Sequence, residues 1–127
     1  MIDIYFAQLE QNFQDFPLIS FYSLTKKRYN AKQGFIRGTI VFEDGSQLEF
    51  VEVKNTDRRE KIKYRYHYMD KEHLMVFRYD NAPHHNNMST FPHHKHLPSK
   101  VEEHNEPTLY EVLLEIYQYE QNRKTTK

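Results

Sequence analysis

Ile2, Tyr5 or Phe6, Leu9 and Phe13 recur at the three-to-four-residue period of a helix with one buried face. Asp15-Phe16-Pro17 follows. Proline disfavours helical backbone at the residue before it, so the expected helix covers residues 2–14. Residues 18–25 are rich in aromatic and β-branched side chains and read as a strand, although their alternation is imperfect. Residues 35–42 and 48–53 give two more strands. Glu43-Asp44-Gly45-Ser46 lies between them, and Asp-Gly accepts the positive φ of a tight turn, so these strands should form a hairpin. Residues 62–68 and 74–79 complete a set of five, with Asp70-Lys71-Glu72 turning the chain. Such short connections favour an antiparallel meander.

The pattern then changes. Residues 81–106 hold Pro83, Pro92, Pro98 and six His, with little periodicity, and read as a long loop. Long loops inside compact domains tend to carry function. A last helix should start near Pro107, a favoured first-turn residue. Leu109, Val112, Leu113 and Ile116 give it one apolar stripe, and residues 122–127 should fray. The expected fold class is α+β: a single domain over residues 1–127, with about five antiparallel strands. The N- and C-terminal helices pack on one sheet face, and a His-rich loop precedes the last helix. The other sheet face is left for a ligand or partner.

Composition narrows the function classes. Aromatic residues make up 15% of the chain, which argues against disorder despite 28% charged residues. There is no Cys, so thiolate metal sites, Cys nucleophiles and disulfides are excluded. The start lacks the basic and apolar regions of a signal peptide, and no apolar stretch is long enough to span a membrane. The cytoplasm is the expected compartment. Eighteen Lys plus Arg balance eighteen Asp plus Glu. The balance is uneven along the chain: basic residues gather at 26–37 and 54–65, acidic ones at 102–120.

Three constellations carry candidate chemistry. In Lys63-Tyr64-Arg65-Tyr66-His67-Tyr68, strand alternation sends the cations and the imidazole to one side and the Tyr rings to the other. The first side suits phosphate. The second suits base stacking or, more plainly, core packing. Next, Phe77-Arg78-Tyr79-Asp80-Asn81-Ala82-Pro83-His84-His85 delivers Arg78, Asp80, Asn81, His84 and His85 into one corner. Arg78 and Asp80 should share a face, and a simple loop-anchoring ion pair would also explain them. Finally, Phe91-Pro92-His93-His94-Lys95-His96 adds three His and a Lys. The His-rich segment supports two chemistries. Imidazoles near neutral pKa, beside Arg and Lys, can deprotonate a ribose hydroxyl and protonate a leaving oxygen. They can also bind a divalent metal, although no standard zinc spacing is present.

Asp44 with Glu52-Val53-Lys54 has the look of a metal-dependent nuclease core. The pattern is short, and Asp44 is already explained by the turn. Glu52 should share a face with Leu48, Phe50 and Lys54, and a carboxylate among apolar neighbours needs a partner. It stays among the candidates for that reason.

The residues that resemble a known family run through most of the chain. They are Gly34-Phe35-Ile36-Arg37-Gly38, Phe42-x-Asp44-Gly45-Ser46, Glu52, Lys63-Tyr64-x-Tyr66-His67, Phe77-Arg78-Tyr79-Asp80-Asn81-x-Pro83-His84-His85 and Phe91-Pro92-His93-His94-Lys95-His96. Together they resemble the TumE-type toxins of bacterial and archaeal toxin–antitoxin pairs. The resemblance implies a growth-inhibiting toxin, neutralised by an antitoxin that is often a helix-turn-helix protein encoded beside it.

The resulting expectation is a toxin that cleaves RNA without a metal. His84, His85, His93, His94 and His96 are the candidate acids and bases. Arg78, Lys95 and Lys63 would hold phosphate, Tyr64, Tyr66, His67 and Asn81 would line the substrate floor, and Asp80 and Glu52 would orient a His or Arg. The alternatives are a metal-dependent nuclease with a divalent ion at the His cluster, and a non-catalytic module whose His-rich loop holds a metal or docks the antitoxin. The acidic final helix and the basic strands also permit a homodimer.

Overall fold

The computed structural model describes residues 1–83 and 87–125. Helix α1 spans Ile2–Gln14 and helix α2 spans Leu109–Thr125. Between them run β1 (Ile19–Arg28), β2 (Gln33–Phe42), β3 (Gln47–Asn55), β4 (Lys63–Met69), β5 (Met75–Asp80), β6 (His94–Leu97) and β7 (Lys100–Glu103). The seven strands form one antiparallel meander in chain order.

The expected five strands are therefore corrected to seven. The segment expected to be loop from 81 to 106 contains a hairpin, β6–β7. Lys and Glu are depleted in strands, so local propensity gives little sign of this hairpin. Its order comes from pairing: Arg78, Tyr79 and Asp80 of β5 pair with His96, Lys95 and His94, and β7 closes on β6. No helix among the described residues is long and apolar enough to cross a membrane.

Both helices lie on one face of the sheet. Ile2, Phe6, Leu9 and Phe13 of α1, with Leu109, Val112, Leu113 and Ile116 of α2, join a single core cluster. The sheet contributes Ile36, Ile40, Leu48, Phe50, Tyr64, Tyr66, Tyr68, Phe77 and Tyr79. These fall at alternate positions of β2 to β5, so the intervening residues face the other way. That second face, with no helix on it, carries Arg37, Glu49, Arg65, His67 and Arg78.

The β2–β3 turn behaves as its Asp-Gly pair predicts, with Gly45 at φ +87°. It is also tied to α2. Ser46 Oγ lies 3.0 Å from Glu120 Oε1 and 2.9 Å from the Tyr68 hydroxyl, and donates to Asp44. Burial, reinforced by the Asp44 carboxylate, pushes Glu120 up to about 7. In the unfolded chain its value returns to 4.5. Between these two values the folded protein keeps a proton that the unfolded chain has lost, so stability falls as pH rises through that window. Glu120→Gln should remove this slope. Thermal melts across the window should show the parent losing a few degrees of Tm and the variant nearly none. Parallel curves would contradict the assignment.

Candidate functional site on the open sheet face

Strand β4 alternates cleanly. Tyr64, Tyr66 and Tyr68 are buried beneath the helices, while Lys63 and Arg65 are exposed and His67 is half-buried on the open face. Direct cross-strand pairing then extends this face in two rows. Arg65 pairs with Asp80, and Asp80 with His94. His67 pairs with Arg78, and Arg78 with His96. Directly opposed residues of an antiparallel sheet share a face, so six polar side chains form a plate two residues long and three strands wide. With strands about 4.8 Å apart, the His67 and His96 backbones sit roughly 10 Å apart with Arg78 between them.

Asp80 is the hub of this plate. Its Oδ1 accepts from the Ala82 backbone N–H at 3.0 Å and lies 2.8 Å from His94 Nε2. Its Oδ2 accepts from Arg78 Nε at 3.1 Å and lies 3.5 Å from His96 Nε2. His94 is fully buried, and its Nδ1 sits 2.9 Å from the Pro92 carbonyl. A carbonyl only accepts, so Nδ1 carries a hydrogen. Its Nε2 faces the Asp80 carboxylate, so Asp80 and the Pro92 carbonyl bracket the buried ring. The His94 and His96 rings meet edge to face at 4.7 Å.

His67 is held in the opposite sense. Burial, then the positive field of Arg78 with a smaller push from Arg65, lowers its pKa below the ordinary 6.5, against an opposing pull from Glu49. One end of the row therefore has an imidazole biased toward neutral. The other end has an imidazole beside a carboxylate. Next to the plate, Lys63, Arg65, Arg78, Asp80, Asn81 and Pro83 line an open cleft of about 530 Å³.

Among the described residues, Asp80, His94 and His96 could hold a divalent ion, since one ligand atom from each lies within 4.8 Å of the others. A two-His, one-carboxylate set suits first-row transition metals. Here, however, Asp80 already accepts from Ala82 and Arg78, and the Arg78 guanidinium places a fixed positive charge against the same carboxylate.

The remaining candidates lie elsewhere. Glu52 is fully buried on the helix-covered face, where it accepts from the Tyr5 and Tyr66 hydroxyls. Burial, then the Glu52 charge, raises both phenols well above their ordinary value. The Tyr64 hydroxyl meets His93 Nδ1 at 2.9 Å, and their rings stack with centroids 5.8 Å apart. Lys95 points to the covered side, bonding Glu115 at 2.6 Å over the Tyr79 ring. Asn81 fastens the loop to β4, accepting from Tyr64 N–H at 3.1 Å and donating to the Ile62 carbonyl at 3.2 Å. His84 and His85 lie outside the described residues. Arg65 stands in the plate although sequence reasoning left it out of the site; its shared face with Lys63 and His67 was the available signal.

A family model described as Toxin TumE matches residues 9–124 of the chain. No curated protein matches it, and no solved structure does.

Proposed function

The chain belongs to the TumE family of toxins, the toxin halves of toxin–antitoxin pairs, and on that premise we propose that it is a metal-independent ribonuclease whose active site is the plate on the open sheet face. The observation that carries this reading is the row His67–Arg78–His96 across three adjacent strands. Two imidazoles flank a guanidinium, which is the arrangement needed to move two protons around one phosphate.

In this reading the RNA phosphate rests on Arg78, with Arg65 beside it. His67, neutral at physiological pH, takes the proton of the ribose 2′-hydroxyl as that oxygen attacks phosphorus. The guanidiniums stabilise the charge that builds on the non-bridging oxygens. His96, oriented by Asp80, gives its proton to the departing 5′-oxygen. One proton is taken up and one released, and the products are a 2′,3′-cyclic phosphate and a 5′-hydroxyl. Asp80 and the buried His94 hold the geometry, and Lys63 meets a neighbouring phosphate. Because the nucleophile is the substrate's own hydroxyl, neither a metal nor an activated water is required, and DNA is not cut.

The second reading is a metal-dependent cut at the same face, favoured by the convergence of Asp80, His94 and His96. The family also implies a cognate antitoxin, which we take to be a helix-turn-helix protein from the adjacent gene.

The pH profile of kcat/KM on RNA tests the roles. The base must be deprotonated, so activity should rise with pH through a value below the ordinary 6.5 of imidazole. It should fall again once the acid loses its proton. An acidic limb centred above 6.5, or cleavage of DNA at the same rate, would contradict the assignment of His67.

A further inference from the structure

The basic loop between β3 and β4 is not used by the plate. Lys54 lies buried on the covered face, and its Nζ donates to the carbonyls of Arg58 and Arg59 at 2.6 and 2.8 Å. Arg58 N–H also bonds Asn55 O at 3.0 Å, and Ile62 N–H bonds Val53 O at 2.9 Å. The loop backbone is thus pinned inward, while the Arg58 and Arg59 side chains are exposed. Neither guanidinium has a hydrogen bond or ion pair among the described residues, and the same holds for Lys63 and Arg65. Two basic groups on one short, well-anchored loop that make no ion pair among the described residues are free to meet an anionic ligand.

Their position says which anion. Arg58 and Arg59 line a cleft of about 490 Å³ with Ile62, Asn81, Pro92 and His93. Ile62 and Asn81 also line the cleft beside the plate. The two clefts therefore meet around the start of β4, and the cations run from Arg78 and Arg65 past Lys63 to Arg58 and Arg59. Lys61 is not part of this run, because Glu106 and the Pro107 carbonyl hold it. Flat and apolar surface is present as well. His93 is braced against Tyr64, and Ile62 is 53% exposed. Cations interleaved with stackable surface suit a single strand, whose bases are free to turn away from its phosphates.

We propose that this second cleft is a binding track for single-stranded RNA beyond the cleaved bond. Arg58, Arg59 and Lys63 hold successive phosphates, and a base lies against Ile62 and His93. Glu60 lines the same cleft and limits how deeply a phosphate can sit. The proposal rests on the ribonuclease reading and gives that site its substrate: an unpaired strand of several nucleotides rather than a dinucleotide or a duplex.

The test is binding, kept apart from cleavage. A short single-stranded 2′-O-methyl RNA cannot supply the attacking hydroxyl, so its anisotropy reads affinity alone. Each phosphate contact on a single strand contributes about −0.7 to the slope of log K against log salt. Arg58→Ala/Arg59→Ala should make that slope shallower by about 1.4 and weaken binding for every sequence alike. Arg58→Glu/Arg59→Glu should nearly abolish binding, with thermal melts confirming that both variants fold. An unchanged slope and affinity would overturn the track. So would a loss confined to antitoxin neutralisation, which would assign the cleft to that partner. Cleavage of unmodified RNA is scored separately: tight binding without cleavage would sink the ribonuclease reading and leave the track standing.

Discussion

Arg78→Ala is expected to lower RNA cleavage by about a hundred- to a thousandfold and to relieve growth inhibition, in a protein that still folds. Arg78 sits between His67 and His96 in one row of the plate, and its Nε donates to Asp80. In the proposed mechanism its loss removes both the charge beneath the phosphate and one of the contacts that orient the acid. Folding should survive, because Asp80 keeps the Ala82 N–H and His94. The expected cost is about 1–2 kcal/mol. Arg78→Lys should recover little. A single ammonium cannot hold the carboxylate and present a fork to phosphate at once. Single-turnover rates, growth curves and melts together check this. Full toxicity in folded Arg78→Ala would remove the row from the mechanism.

The second large effect is on stability. Glu52→Ala should destabilise the fold by about 2–5 kcal/mol, out of the roughly 5–15 kcal/mol that a small domain holds in reserve. Glu52 is fully buried and is the acceptor for two phenols on separate elements, Tyr5 of α1 and Tyr66 of β4. Removing it leaves the buried Tyr66 hydroxyl and the half-buried Tyr5 hydroxyl without that acceptor. Glu52→Gln keeps an acceptor oxygen and should cost about 1 kcal/mol. Denaturant titration separates the two variants. A Glu52→Ala protein as stable as its parent but devoid of activity would return Glu52 to the catalytic set.

These two residues show what could be read from the sequence and what could not. The apolar spacing of α1 and α2, the Asp-Gly hairpin and the alternation of β4 all depend on local periodicity, and each appears where expected. The pairing of Arg78 and Asp80 on one face follows from the same period of two. Strands β6 and β7 were not legible because their residues do not favour strand; only the neighbouring β5 orders them. That omission blurred the site. Read as loop, His94, Lys95 and His96 look like one cluster. Read as strand, Lys95 turns to Glu115 on the covered face while His94 and His96 turn to Asp80. Glu52 was legible as a buried carboxylate that needs a partner, but not which partner, since Tyr5 lies far away in sequence. His67 seemed part of a substrate floor. Its place at one end of a three-strand row depends on register, which no stretch of sequence states.

The most direct measurement of the central claim is end-group analysis of RNA incubated with the purified protein in EDTA, beside His67→Ala. The account predicts 2′,3′-cyclic phosphate and 5′-hydroxyl ends in EDTA, and none from the folded variant. Cleavage that appears only when a divalent metal is added, or products that carry 5′-phosphates, would contradict it and move the chemistry to a metal held by Asp80, His94 and His96.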